Sequence, residues 1–204
     1  DNIDRIMQYS QENTSQYKYG SKVDLKDKDS WDNPNNSSIS NPLVLETTPF
    51  VSVFDEGSFS NLDQPGSPID IDAIQGTIMN QAQFRKFSNY NSAVFNFVVD
   101  ADGTANEIAG IRWYEIRQDS DSDPWYIYQE GTYTSPNGKH AWLASMGIDM
   151  NGNIAMGYSG MGGSTNTYVS SYYTGRFQND PLGVMTIEET LLDAGGSNIS
   201  GTNR

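Results

Sequence analysis

The chain has 204 residues, 26 of them acidic and 12 basic, which gives a formal charge of −14, and it contains no cysteine. That balance excludes a phosphate-gripping nucleic-acid surface, which needs cations to displace counterions, and it runs against docking on anionic membranes. Missing thiols exclude disulfides, a cysteine nucleophile and cysteine-ligated metal, while 12 Tyr, 8 Phe and 4 Trp are enough for a core.

From the N-terminus, Tyr17 to Asp29 alternates as a strand would, and Ser30 to Pro42 is a polar Asn/Ser/Pro loop. Pro49 to Phe59 reads as another strand, and the segment "NLDQPGSPIDIDA" as a surface loop. Asp72 to Ala82 and Ile187 to Leu192 are modest helical candidates, both short enough to be strands or turns. No apolar run approaches the roughly 20 residues of a spanning helix, so membrane insertion is not expected.

The second half repeats itself. "SAVFNFVVD" (Ser92 to Asp100), a turn, "AGIRWYEIR" (Ala109 to Arg117), a loop and "PWYIYQEGTY" (Pro124 to Tyr133) form one segment. "AWLASMGIDM" (Ala141 to Met150), "NGN", "IAMGYSG" (Ile154 to Gly160) and "YVSSYYTGRF" (Tyr168 to Phe177) form the second, offset by roughly 50 residues. Short apolar runs bounded by Gly, Asn, Asp and Ser predict an all-β protein. The period predicts a partial β-propeller of about two complete four-stranded blades plus an incomplete one. The expected division is an irregular incomplete blade with loops over 1–90, a blade over 91–140 and a blade over 141–204. Two or three blades cannot close a ring, so the remaining blades are expected on further sequence or on another protein chain. A start at Asp1 with no signal-peptide pattern fits a processed piece.

"NYNSAVFNFVVDADG", "AGIRWYEIR", "WYIYQEGTY", "GNIAMGYS" and "YTGRFQNDPLGVMTIEE", together with "WDNPNNSS" and "QPGSPIDIDAI", resemble a family of large secreted bacterial propeller-like proteins. That family bears a distant likeness to sialidase-type (BNR) propellers, and the resemblance spans about Asp29 to Arg204. It implies a propeller fold and a secreted or bacterial cell-surface location, and it implies no particular activity. One departure is at His140, Ala141, Trp142 and Leu143, where the family tends to carry a His-Arg-Trp-Met run.

Candidate chemistry is sparse. His140 is the sole histidine, so Ser-His-Asp, Cys-His and multi-histidine zinc sites are not expected, and beside Gly138 and Lys139 it reads as a solvated turn residue. Calcium takes six to eight oxygen ligands, and three stretches offer spaced carboxylates: Asp119, Asp121 and Asp123 in "DSDSD", Asp100 and Asp102 with Asn106 and Glu107 in "DADGTANE", and Asp149 in "DMNGN". The competing reading of each is a hairpin turn, strongest at Asn151-Gly152 because both residues tolerate positive φ. A sialidase-like hydrolase would draw on Arg112, Tyr114, Glu115 and Arg176, with Arg117 nearby. Strand alternation puts Arg112 and Tyr114 on one face and Trp113 and Glu115 on the other. The aromatic runs "RWYEIR", "PWYIYQ" and "SSYYTG" suggest either blade packing or a glycan platform. Sequons begin at Asn13, Asn35, Asn36 and Asn198. The function these features support is a non-catalytic binding or structural module of the cell surface or secreted space, whose partners are the remaining blades, another protein chain or a glycan. The alternative is a sialidase-like glycoside hydrolase whose active site is shared with further blades.

Overall fold

A computed structural model describes residues 5–9, 17–24, 43–52, 54, 61–74, 78–103 and 107–201. Its strands are β1 (Arg5–Tyr9), β2 (Tyr17–Asp24), β3 (Leu43–Phe50), β4 (Ile78–Lys86), β5 (Asn91–Asp100), β6 (Ala109–Gln118), β7 (Tyr126–Tyr133), β8 (Lys139–Ile148), β9 (Ile154–Gly162), β10 (Thr167–Arg176) and β11 (Ile187–Asp193). They form a three-stranded sheet β1-β2-β3 and two four-stranded antiparallel meanders, β4-β5-β6-β7 and β8-β9-β10-β11. Among the described residues the helical content is one 3-10 turn at Pro136–Gly138, and no helix is long and apolar enough to cross a membrane. The polar loop over 30–42, the sequons at Asn13, Asn35 and Asn36, and residues 104–106 lie outside the described residues.

The expected all-β class is the observed one. Of the two modest helical candidates, the first is strand from Ile78 onward, where β4 starts, with residues 75–77 outside the described ones, and the second is covered by β11. Hydrophobic content alone does not separate short helices from strands, and here pairing to β5 and to β10 decides. The repeat is real but its equivalence shifts by one strand. The first meander starts its strands at Ile78, Asn91, Ala109 and Tyr126, the second at Lys139, Ile154, Thr167 and Ile187, an offset of about 60 residues rather than 50. Ser92 to Asp100 therefore corresponds to Ile154 to Gly162, because the first meander opens with "IMNQAQFRK", which carries no clear alternation.

The sheets stack. Along β5, nine of ten residues are buried, as a central strand covered on both faces requires. Val94 packs with Trp113, Ala141, Met146, Ile154 and Met156 into the core between the meanders. Phe97 and Val99 point the other way, packing with Phe50 of β3 and Tyr114. A third cluster joins Trp142, Met161 and Val98 to Phe54, Leu62 and Ala73 of the segment before β4. In the second meander burial alternates, and Ser145, Ala155, Ser171 and Tyr173 remain exposed on its outer face.

Free edges are treated locally. The backbone of Ile148 on β8 is held by side chains of β4: its N–H donates to Gln83 Oε1, and Arg85 Nε donates to its carbonyl at 2.9 Å. Such caps occupy the polar groups that would otherwise invite another strand. β8 also carries a bulge between Trp142 and Ser145, where Leu143 adopts φ 52°.

Candidate functional site

Strand β6 organises the candidate residues, and its pleat separates them as alternation requires. Arg112 and Tyr114 face β3, and Arg112 Nε donates to the Tyr114 hydroxyl at 3.0 Å. Its Nη1 donates to Thr132 Oγ1 at 3.2 Å, and its Nη2 to Thr48 Oγ1 at 3.2 Å and to the Glu130 carboxylate. Glu130 also accepts the Thr48 amide at 2.9 Å. The guanidinium lies 5.1 Å from the Tyr114 ring centroid and 5.7 Å from that of Phe50. Burial pushes the Tyr114 hydroxyl pKa above its ordinary value, against the pull of Arg112. The result is a clamp that ties β3 to β6 and β7.

Glu115 faces the opposite way and is 1% exposed. It accepts from Ser92 Oγ at 2.9 Å, Arg117 Nε at 2.6 Å and Gln129 Nε2 at 2.5 Å. Gln129 in turn accepts from Arg176 Nη1 and from the Gly183 amide at 3.1 Å. Arg176, equally buried, donates to the carbonyls of Asp180 at 2.8 Å and Pro181 at 3.1 Å. Burial lowers its pKa, while the charges of Glu115 and Asp180 oppose that shift. Through Gln129 the network fastens the β10–β11 loop to β7. The fit there is close, since a Cβ at Gly131 would stand 2.2 Å from the Gly183 carbonyl oxygen. The Arg117 guanidinium is sandwiched between Tyr128 at 3.3 Å and Tyr90 at 4.1 Å.

The four residues of the hydrolase reading thus divide into two pairs on opposite faces of one strand, each consumed by hydrogen bonds. An activated tyrosine needs a free hydroxyl and an adjacent carboxylate, whereas the Tyr114 hydroxyl holds Arg112 and Glu115 holds three donors.

A third cluster was not visible in the sequence. Glu189 of β11 accepts from Lys139 Nζ at 2.7 Å, from Tyr158 at 2.5 Å and from Ser135. Tyr158 and Tyr133 share a 2.8 Å hydrogen bond. Burial raises Glu189, but the bonds from Lys139, Ser135 and Tyr158 outweigh it and hold its carboxyl below the ordinary value. Burial and the Glu189 carboxylate push Tyr158 far up. Lys139 and Glu189 stand 50 positions apart, so no local motif announces them.

The carboxylates singled out for calcium have separate partners. Asp119 accepts from the Tyr126 hydroxyl at 3.0 Å, and Asp121 from Lys86 and Asn91, each at 2.7 Å. Asp123 accepts from Ser120 at 2.6 Å. Asp100 Oδ1 accepts the Asp102 amide at 3.3 Å, and burial followed by the neighbouring Asp102 raises the Asp100 pKa. Among the described residues no three Asp, Glu, His or Cys side chains gather as a ligand set.

Asp149 organises a turn. Its Oδ1 accepts the amides of Asn151 at 2.8 Å and Asn153 at 2.9 Å, its Oδ2 accepts Asn153 Nδ2 at 2.8 Å, and Ile148 pairs with Ile154 across the hairpin. Slight burial raises its carboxyl pKa, but the bonds from Asn153, Asn151 and Gly152 prevail and hold it low. Of the Asn151-Gly152 pair only Gly152 has positive φ, at 85°. The connection is therefore a five-residue loop built by Asp149, rather than a two-residue turn with both residues left-handed. Asn198, which begins the last sequon, donates its side-chain amide to the Pro65 carbonyl at 2.9 Å.

His140 is not the solvated turn residue its neighbours suggest. It is 8% exposed in β8, and its Nδ1 accepts the Ala109 amide at 3.2 Å. Burial lowers its pKa, with Asp63 the opposing charge. The unfolded chain then takes up the proton first as pH falls through the ordinary value of about 6.5, so stability drops with falling pH from there to the lower folded value. We expect melting temperature to decline between about pH 7 and 5 in the native chain, and less so in His140→Gln. Parallel declines in the two proteins would remove His140 as the cause.

Comparison with known proteins adds no assignment: no family model matches the chain, and neither the curated proteins nor the solved structures give a match.

Proposed function

We propose that the chain is part of a secreted or cell-surface β-propeller with a non-catalytic binding or structural role, completed by further blades or a partner chain. One observation carries this reading. The first meander has sheets against both faces, whereas the second has one face covered and the other open. Successive four-stranded meanders stacked face to face in chain order are how a propeller is built. The open face is low-relief, with Ala155, Gly157, Ser159 and Ser171 around Tyr173, and a neighbouring sheet can lie against it closely. The non-catalytic part of the reading rests on the hydrogen bonds that engage Arg112, Tyr114, Glu115 and Arg176 with their protein neighbours.

The absence of native cysteine makes the test direct. In Ala155→Cys the single thiol should react with maleimide freely in the chain on its own, and at least about tenfold more slowly in the assembled parent protein. Equal rates in both would sink the proposal. The same assembly should turn over neither sialosides nor other glycosides, and a turnover abolished by Arg112→Ala would establish the hydrolase instead.

A further inference from the structure

The turns at one end of the two meanders combine exposed apolar side chains with exposed aspartates. They are the β4–β5 turn over 87–90, the β6–β7 loop over 119–125, the β8–β9 turn over 149–153 and the β10–β11 loop over 177–186. These turns display exposed apolar side chains, Met150 at 77%, Phe177 at 58% and Leu182 at 54%, and Tyr126 at the start of β7 is 39% exposed beside them. Hydrogen bonds lock the turns to one another. Lys86 and Asn91 reach Asp121, each at 2.7 Å, Arg85 reaches the Ile148 carbonyl at 2.9 Å, and the Gln178 amide donates to Asn153 Oδ1 at 3.0 Å. Asp180 accepts the Phe177 amide at 2.7 Å, as Asp149 holds the turn that displays Met150. Turns fixed in this way present their apolar tips with little ordering left to do on contact.

The charge around those tips is one-sided. Asp119, Asp123 and Asp149 are exposed and Asp180 is half-buried. The cations at this end are engaged: Lys86 with Asp121, Arg85 with Ile148, Arg117 between two tyrosines and Arg176 with Gln129 and loop carbonyls. We infer that this end is a docking surface for a cationic polypeptide segment carrying apolar side chains. Met150 and Phe177 are its anchors, and the aspartates steer and orient the partner. Apolar anchors inside a charged rim are the usual anatomy of a protein interface, and an acidic rim on a chain of charge −14 favours a basic partner. The inference rests on the binding-module reading and names the chemistry of one partner.

The full chain is titrated with a fluorescent peptide alternating Arg and Leu, with the same peptide carrying Glu for Arg, and with a neutral oligosaccharide. Only the Arg peptide should bind, more weakly at high ionic strength. Met150→Ser with Phe177→Ser, and separately Asp119→Asn with Asp123→Asn, should each weaken it by about tenfold or more. Removing two charges elsewhere, Glu188→Gln with Asp193→Asn on β11, should change it by less than about twofold. Melting curves keep a folding defect apart from a binding defect. Equal weakening by the β11 pair would mean attraction by net charge alone and would overturn the inference. Failure of either pair at the turns to weaken binding, or binding of the oligosaccharide in place of the peptide, would overturn it too. Protection of the thiol at residue 155 reads the open sheet face of β9 in the assembled parent protein, whereas the peptide titration uses the chain on its own, so the propeller reading stands or falls separately.

Discussion

Replacing Glu115 by alanine is expected to cost about 3–5 kcal/mol of unfolding free energy, the range for removing one partner of a buried ion pair. The carboxylate is 1% exposed and accepts from Ser92, Arg117 and Gln129. Its loss leaves the Arg117 guanidinium, whose side chain is only 12% exposed, without its counter-charge. It also frees the Gln129 amide whose other end holds Arg176 and the Gly183 amide. The effect should therefore spread to the β10–β11 loop, with faster amide exchange at Gly183. A domain of this kind has about 5–15 kcal/mol of total stability, so the variant should be marginal at body temperature. A urea titration gives the answer through its midpoint. A shift equivalent to less than about 1 kcal/mol would show that the carboxylate is held at no net gain.

Trp113→Ala should be as damaging, about 3–5 kcal/mol, for a different reason. Trp113 is fully buried and packs with Val94, Ile111, Ala144, Met146 and Met156, so its ring fills the space between the two meanders. Alanine leaves a cavity bordered by strands whose backbones are tied into ladders on both sides, and these cannot collapse to fill it. Trp113→Phe should lose less, since most of the volume stays. Calorimetric melting of the three proteins distinguishes a packing role from a specific polar one. If phenylalanine costs as much as alanine, the indole N–H rather than the ring volume would be responsible, and the cavity account would be wrong.

Local signals were legible where the physics is local. "AGIRWYEIR" alternates with period two, and β6 places Arg112 and Tyr114 toward β3 and Trp113 toward β8 and β9, as that period requires. "DMNGN" contains the residues of a turn, and Asp149 builds one. Partner choice was another matter. The opening strand of the first meander, β4, lies in a segment whose polar residues hide any alternation, so the sequence alone suggests a repeat of about 50 residues instead of about 60. His140 looked exposed from its neighbours Gly138 and Lys139, yet the Ala109 amide and the segment containing Asp63 enclose it.

The sequence by itself determined that this is an all-β chain, strongly acidic, free of thiol chemistry and rich in tight turns, because composition and period-two patterning act within a few residues. Only the tertiary structure decided which strands share a sheet, that Lys139 meets Glu189 and that Glu115 reaches Arg176 through Gln129. It also left one face of the second meander open and set Met150, Phe177 and Leu182 on turns at one end. These relations join residues tens of positions apart, and what selects them is the free energy of stacking whole sheets, to which each residue's immediate neighbours contribute little.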